Sequence, residues 1–263
     1  MFPRLVQFGM VTIPTHGAFI ALGLMLALLL AVRTSRLLAL DADAVWNLSF
    51  LAIFSFIVGG RVVLVATHWR EYASYPSLLL VVSIHSPAVL AGGCGIALAC
   101  CAVSVWLHPL PIRRTLDALT PPLVLGYALA CVGAFAAGAD YGSVTDVPWA
   151  VRFHSRYALM WSGTPQDVPL HPVQLYQAGF ELLLCAFLLF LLKRHHRDGE
   201  ICGAWLFLGG ISHFVFEFWR GDRGTELFGG LLDLTQVAAL LMIVAGGILY
   251  MHHTEKERLT DAV

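Results

Sequence analysis

Between Ala73 and Ile112 the chain carries no Lys, Arg, Asp or Glu. A soluble domain, with roughly 25% charged residues, rarely leaves so long a stretch uncharged. Over all 263 residues the charged fraction is 13% and the hydrophobic fraction 58%, with a mean hydropathy of +0.76. A chain this apolar cannot stay solvated as a disordered polymer, and its long apolar runs need hydrocarbon around them. In hydrocarbon the backbone must satisfy its own hydrogen bonds, which leaves helices as the element for runs of this kind. The expected fold is an all-α integral membrane protein. The net charge of −1 removes any compositional argument for a nucleic-acid partner.

A spanning helix needs about 20 mostly apolar residues. Seven segments qualify: about 16–32, 48–67, 78–107, 119–138, 170–192, 201–219 and 230–251. Residues 1–263 therefore read as one polytopic membrane domain with about seven transmembrane helices. The first segment starts well inside the chain and is followed by no small-residue cleavage site, so it reads as an ordinary first helix rather than a signal peptide. Pro87 and Pro109 bracket the third segment, where Gly92, Gly93 and Gly95 predict either close helix contact or a local break. The six cysteines all lie in apolar stretches without metal-ligand spacing and read as small buried residues.

Basic residues divide unevenly between alternate connections. Arg33, Arg36, Arg113, Arg114, Lys193, Arg194, Arg197, Lys256 and Arg258 fall on one side, hard against span ends. Arg4, Arg70, Arg152, Arg156, Arg220 and Arg223 fall on the other. The positive-inside rule then puts the N-terminus outside, the C-terminus in the cytoplasm, and a sizeable loop of about 139–169 on the outer face. That loop mixes Tyr141, Trp149, Phe153, Tyr157, Met160 and Trp161 with Arg152, His154 and Arg156. Such a mixture suits the headgroup layer of a bilayer, as a functional surface or as a plain interfacial anchor.

Ionisable groups inside spans are costly and point to function. Arg61, Glu181, His213 and Glu217 are the four that stand out. His213, Glu217 and Arg220 share one helical face by spacing, and Glu217 with Arg220 makes an i,i+3 pair. The alternative is a structural pair that only holds the helix in the bundle. His171-Pro172-Val173-Gln174-Leu175-Tyr176-Gln177 opens the fifth span: proline suits a first helical turn, and His171 can exchange a proton near neutrality. Gln174 lies one turn on from His171, so both can face a common cavity.

Taken together, these residues resemble the prolipoprotein diacylglyceryl transferase family. His16-Gly17 ahead of Ala18–Ala31 is similar to its first span, where Tyr-Gly is usual. Gly59-Gly60-Arg61 is similar to its Gly-Ala-Arg element. Asp146–Val151 (DVPWAV) followed by His171–Tyr176 (HPVQLY) resembles "DLPWAV … HPTQLYE". Phe214–Asp222 (FVFEFWRGD) with Thr235-Gln236 resembles its closing region. The resemblance implies transfer of diacylglyceryl from phosphatidylglycerol to the lipobox cysteine thiol of a lipoprotein precursor, without a cofactor. The implied partners are phosphatidylglycerol, the preprolipoprotein signal peptide and membrane lipids, and the implied location is the bacterial plasma membrane. It also implies His171, Glu217 and His213 as catalytic residues and Arg61, Gln174, Tyr176 and Arg220 as substrate-binding ones. Departures occur at Cys131 and Ala134, where the family has an Arg and an Asn tied to headgroup binding. Ala91 stands for a His, and His213 for an Arg. His85, Arg152, His154 and His213 itself are candidates to restore the missing charge.

Three readings follow: a transferase, a non-catalytic or altered-specificity relative that binds lipid or signal-peptide helices, and a transporter or haem protein. The third fits least, because the spans show no internal repeat and only His213 lies deep in one. The orientation is checked by cysteine-accessibility labelling. A cysteine introduced near Ser162 is expected to react with an impermeant reagent from outside, and reaction only from the cytoplasm reverses the topology.

Overall fold

The computed structural model describes residues 3–8, 11–74, 87–194, 197–224, 226–227 and 230–260. In chain order its elements are β1 (Arg4–Phe8), β2 (Val11–Pro14), α1 (Thr15–Leu37), α2 (Ala42–Thr67), α3 (Trp69–Ser74), α4 (Pro87–Leu107), α5 (Ile112–Ala137), α6 (Arg156–Ser162), α7 (Val173–Leu192), α8 (Glu200–Glu217), β3 (Glu226–Leu227), β4 (Leu232–Asp233) and α9 (Leu234–Thr260). The strands form two small antiparallel hairpins, β1–β2 and β3–β4, and the rest of the regular structure is helix. Among the described residues each expected span overlaps a helix, the third from Pro87 and the seventh from Leu234 onward. Five of these (α1, α2, α4, α5 and α7) are long and apolar enough to cross a membrane, and α9 contributes a shorter apolar stretch, Leu234–Leu249. Residues 75–86, including His85, lie outside the described residues.

By contacts the chain falls into two compact units, one of residues 39–112 and the other of residues 1–38 with 113–263. In the smaller unit α2 and α4 pack through small residues. A Cβ added to Gly92 would sit 2.4 Å from Val63 Cγ2, and one on Gly93 would sit 2.9 Å from the Phe56 carbonyl oxygen. The glycine stretch is therefore a close helix contact, and α4 runs through it unbroken.

The larger unit has its apolar core where α5, α7 and α8 meet, with Val124, Leu184, Cys185, Leu188, Leu192 and Ile201 buried together. Some of the polar groups beside that core answer backbone groups that would otherwise be unpaired. Pro121 and Pro122 lie inside α5 and lack the N–H that would close its ladder. The Ala118 carbonyl, four residues before Pro122, instead accepts the Thr34 hydroxyl of α1 at 2.6 Å. Asp117 is fully buried, yet its carboxylate accepts the backbone N–H groups of Gly199 at 2.5 Å and Cys202 at 2.8 Å. It thus caps the first turn of α8, whose own N-cap residue, Gly199, has no side chain to do so. An anion at a helix N-terminus meets both the orphan donors and the positive end of the dipole.

The segment between α5 and α7 is folded rather than loose. Gly138 takes φ +76°, and the N–H of Ala139 returns to the Ala134 carbonyl at 2.8 Å, the left-handed ending that releases a chain from a helix. Phe153 and Leu170 are buried at 1% exposure each. The N–H groups of Val151 and Leu170 bond to each other's carbonyls at 2.9 and 3.0 Å. The short helix α6 is capped by the Ser155 hydroxyl and ends on Gly163 in the left-handed region. Arg152 and His154 both engage Asp167 within this segment.

Thr34→Val should lower thermal stability in detergent by about 1 kcal/mol, because the Ala118 carbonyl loses its donor in an apolar setting. Combined with Pro122→Ala, which restores the backbone N–H, the same change should be nearly silent. Equal losses in both backgrounds would rule out the compensation.

Candidate functional site

Four helix ends in the larger unit converge on a cavity of about 100 Å³. On α5, Tyr127, Cys131 and Ala134 recur at spacings of four and three and so share one face. On α7, Gln174 and Gln177 are three apart and share a face, with Val173 beside them at the start of the helix. His16 comes from the first turn of α1, Asp140 from just beyond α5, and Arg220 from just beyond α8; all of them line the cavity. Asp140 holds φ +52°, a region that Asp and Asn enter more readily than bulkier residues.

Arg220 is the centre of the polar structure here. Its Nε and Nη2 each donate at 3.0 Å to the Asp222 carboxylate, and Nη2 also reaches Asp140 Oδ1 at 3.4 Å. Glu217 Oε1 lies 3.7 Å from Nε. The i,i+3 pair expected from the sequence is present, but it is the looser contact; the two-armed bond goes to Asp222. The turn past the end of α8 makes this possible, since it folds Asp222 back beneath the guanidinium. Burial works against the charge on Arg220, but Asp222, Asp140 and Glu217 outweigh it and hold the guanidinium above its ordinary pKa. Burial pushes the Asp222 carboxyl up, against the opposing pull of Arg220. None of the described bonds uses Nη1, so one edge of the guanidinium is available to a ligand.

The backbone ties the same region together. Ser143 donates to the Trp219 carbonyl at 2.7 Å, Gly221 to Tyr141 at 2.9 Å, and His171 to Ser143 at 3.0 Å. A Cβ on Gly142 would fall 2.2 Å from the His171 carbonyl oxygen, so only glycine allows these segments to approach.

The other residues singled out by sequence distribute as follows. Gln174 is 2% exposed, and its Nε2 donates to the Ala139 carbonyl at 2.7 Å. His171 is half-buried, but it is not among the residues lining the cavity. Its ring packs at 6.1 Å from Tyr176 and 6.3 Å from Trp219, and its Nδ1 lies 3.3 Å from the Tyr176 hydroxyl. That hydroxyl also accepts the indole N–H of Trp149 at 2.5 Å. His213 bonds through Nδ1 to Gln177 at 3.0 Å and packs at 5.4 Å from Tyr127. Glu181 is fully buried; Ser212 donates to one oxygen at 3.4 Å, and the other has no partner among the described residues. Arg61 belongs to the smaller unit, where its guanidinium lies over Tyr72 at 5.6 Å; Ala91, on α4, is in that unit too. Cys131 and Ala134 stand in the cavity wall. Among the described residues no group of three or more His, Cys, Asp or Glu side chains is arranged to hold a metal ion.

Sequence reasoning missed Asp140, Tyr127 and Gln177. Gln177 carried a signal, one turn after Gln174 on the same face. Asp140 carried none, because its carboxylate reaches Arg220 across 80 residues of chain.

The sequence signature described as prolipoprotein diacylglyceryl transferase matches residues 3–252. A phosphatidylglycerol–prolipoprotein diacylglyceryl transferase of Clostridium tetani is 27% identical, covering 94% of this chain and 95% of its own length. One numbered 2 in Clostridium perfringens is 28% identical, covering 92% and 91%. One of Synechococcus elongatus is also 28% identical, covering 99% and 91%.

Arg220→Met strands its carboxylates at low dielectric and should cost about 3–5 kcal/mol of stability. Adding Glu217→Gln should recover part of that loss, and adding Asp222→Asn as well should recover more, as read by thermal unfolding of the purified protein. Full recovery from the first pair alone would make the bond to Asp222 incidental.

Proposed function

This chain belongs to the prolipoprotein diacylglyceryl transferase family, and from that premise we propose that it transfers the diacylglyceryl group of phosphatidylglycerol to the thiol of a lipobox cysteine. The acceptor is a lipoprotein precursor presented by its signal peptide, and the setting is the bacterial plasma membrane, entered by about seven spans with the 139–169 segment on the outer face. In the reaction a sulfur–carbon bond forms, the bond from the glycerol carbon to the phosphate oxygen breaks, and the thiol proton is taken up by a base. Glycerol phosphate leaves, and a thioether remains.

The observation that carries this reading is the cavity edged by Arg220. A leaving phosphate needs positive charge or hydrogen-bond donors where its charge develops. Arg220 offers one free edge of a guanidinium whose other edge is already clamped, so little reorganisation is needed on binding. Gln174 and Tyr176 complete the donor-binding set, and Glu217 keeps Arg220 in place from within the bundle. His171, beside Tyr176 and Trp149 at the mouth of α7, is assigned as the acceptor of the thiol proton, with His213 and Glu217 supporting the reaction from α8. Arg61 is assigned to donor phosphate recognition on its chemistry alone, as a planar donor suited to phosphate oxygens.

A second reading is favoured by one observation: Cys131 and Ala134 stand in the cavity wall where the family resemblance calls for Arg and Asn. A chain with that wall binds lipid, or a signal-peptide helix, without transfer. The two are separated by giving purified protein labelled phosphatidylglycerol and a lipobox peptide. Label is expected on the peptide thiol as a thioether and absent from a Cys→Ser peptide. His171→Gln should lower turnover by roughly 10²-fold, and Arg220→Lys should weaken use of the donor. Lipid binding without any transfer by the unmodified protein would decide for the second reading.

A further inference from the structure

Glu181 is an ionisable side chain of the bundle that the proposed reaction leaves unused. It is the ninth of the 20 residues of α7 and fully buried. None of the ion pairs among the described residues reaches it. Its Oε2 has no hydrogen-bond partner among those residues, and its Oε1 lies 3.4 Å from the Ser212 hydroxyl oxygen of α8. That hydroxyl has one proton and a second acceptor within reach, the Gly209 carbonyl at 2.8 Å. If Glu181 is ionised, Ser212 must turn its proton away from Gly209, and an unpaired charge still remains in the bundle. If Glu181 carries a proton, Oε1 donates to the Ser212 oxygen, Ser212 keeps its shorter bond, and only a neutral carbonyl oxygen goes unanswered. The second arrangement makes both bonds and buries no charge.

We propose that Glu181 is a proton-binding site set behind the cavity, occupied at neutral pH and coupled to the binding of an anion in the cavity. Gln177, one turn before it on the same face of α7, lines the cavity. Among the described residues, Tyr127 and Cys131 of α5 and Cys185 of α7 are titratable groups that interact with the Glu181 charge. On α8 the titratable neighbour of Ser212 is His213, whose Nδ1 is bonded to Gln177. None of these supplies a fixed cation. An anion beside Arg220 therefore meets a neutral acid one turn deeper, and ionising that acid sets two negative charges against each other across a low-dielectric wall. The coupling is reciprocal: a bound anion keeps the proton on Glu181, and the proton favours the anion. This rests on the reading of the cavity as the place of the donor phosphate, and it gives Glu181 no contact with the reacting atoms.

The test uses the purified full chain in uncharged detergent micelles. Phosphatidylglycerol is the probe, because its phosphodiester keeps one negative charge across the pH range used. At neutral pH the infrared spectrum should contain the carbonyl band of a protonated carboxylic acid that Glu181→Gln abolishes. Saturating phosphatidylglycerol should move the loss of that band to higher pH, and uncharged diacylglycerol should not. As pH rises through that loss, the unmodified protein should bind phosphatidylglycerol roughly tenfold less tightly, and Glu181→Gln should largely remove the dependence. Glu181→Leu serves if the glutamine variant fails to fold. Absence of the band, a titration that the lipid leaves in place, or a pH dependence kept in full by the variants, which assigns it to His171 or His213, overturns the proposal. Should the band and its shift hold while no label reaches a lipobox thiol, the transferase reading falls and the proton site stands.

Discussion

Much of the functional end of this protein hangs on one guanidinium. Arg220 sits just past the last turn of α8 and draws on carboxylates from three places: its own turn, the helix behind it, and the chain leaving α5. Each attachment fixes a different element. Asp222 sets the turn, Glu217 the helix end, and Asp140 the path of the outer segment. The backbone bonds among residues 141–143, 171 and 219–221 then draw the start of α7 into the same knot. A buried charge is costly alone and stabilising only where its hydrogen bonds are met, and here the surplus of carboxylates is what lets a cation remain beside a lipid-facing bundle.

The same accounting governs the rest of the larger unit. Inside an apolar bundle each lost backbone bond needs a replacement, and the replacements come from neighbouring helices. Thr34 answers a carbonyl opened by Pro122, and Asp117 closes the start of α8. These side chains look out of place in their own helices and make sense only in the packed bundle. Rigidity near the cavity follows, because the helix carrying Tyr127 and Cys131 is anchored on two sides below them.

The helices were legible because hydrophobic run length is a local property. Close contact at Gly92 and Gly93 was one of two options in the sequence, and the packing of α2 on α4 decides it. The Glu217–Arg220 contact was legible from i,i+3 spacing, whereas the tighter bond to Asp222 was not, since it depends on a turn that helical periodicity does not describe. His213 was grouped with Glu217 by helical face, but its hydrogen bond goes to Gln177 on another helix. His171 and Gln174 were read as sharing a cavity. Gln174 lines it, and His171 packs among Tyr176 and Trp219, because the backbone at Pro172 turns the two side chains apart before the helix begins. Asp140 was invisible, as a single residue after a helix end has no pattern to betray it.

The cap on α8 has a consequence for biogenesis. Asp117 receives its two N–H partners from residues 82 and 85 positions later. At a synthesis rate of about 5–20 residues per second, those partners emerge roughly 4–16 s after the aspartate itself. During that interval α5 holds the Asp117 carboxylate without these two backbone donors, one turn on from Arg113 and Arg114. The first turn of α8 is thus closed by a side chain made well before it, and only once the two helices are side by side.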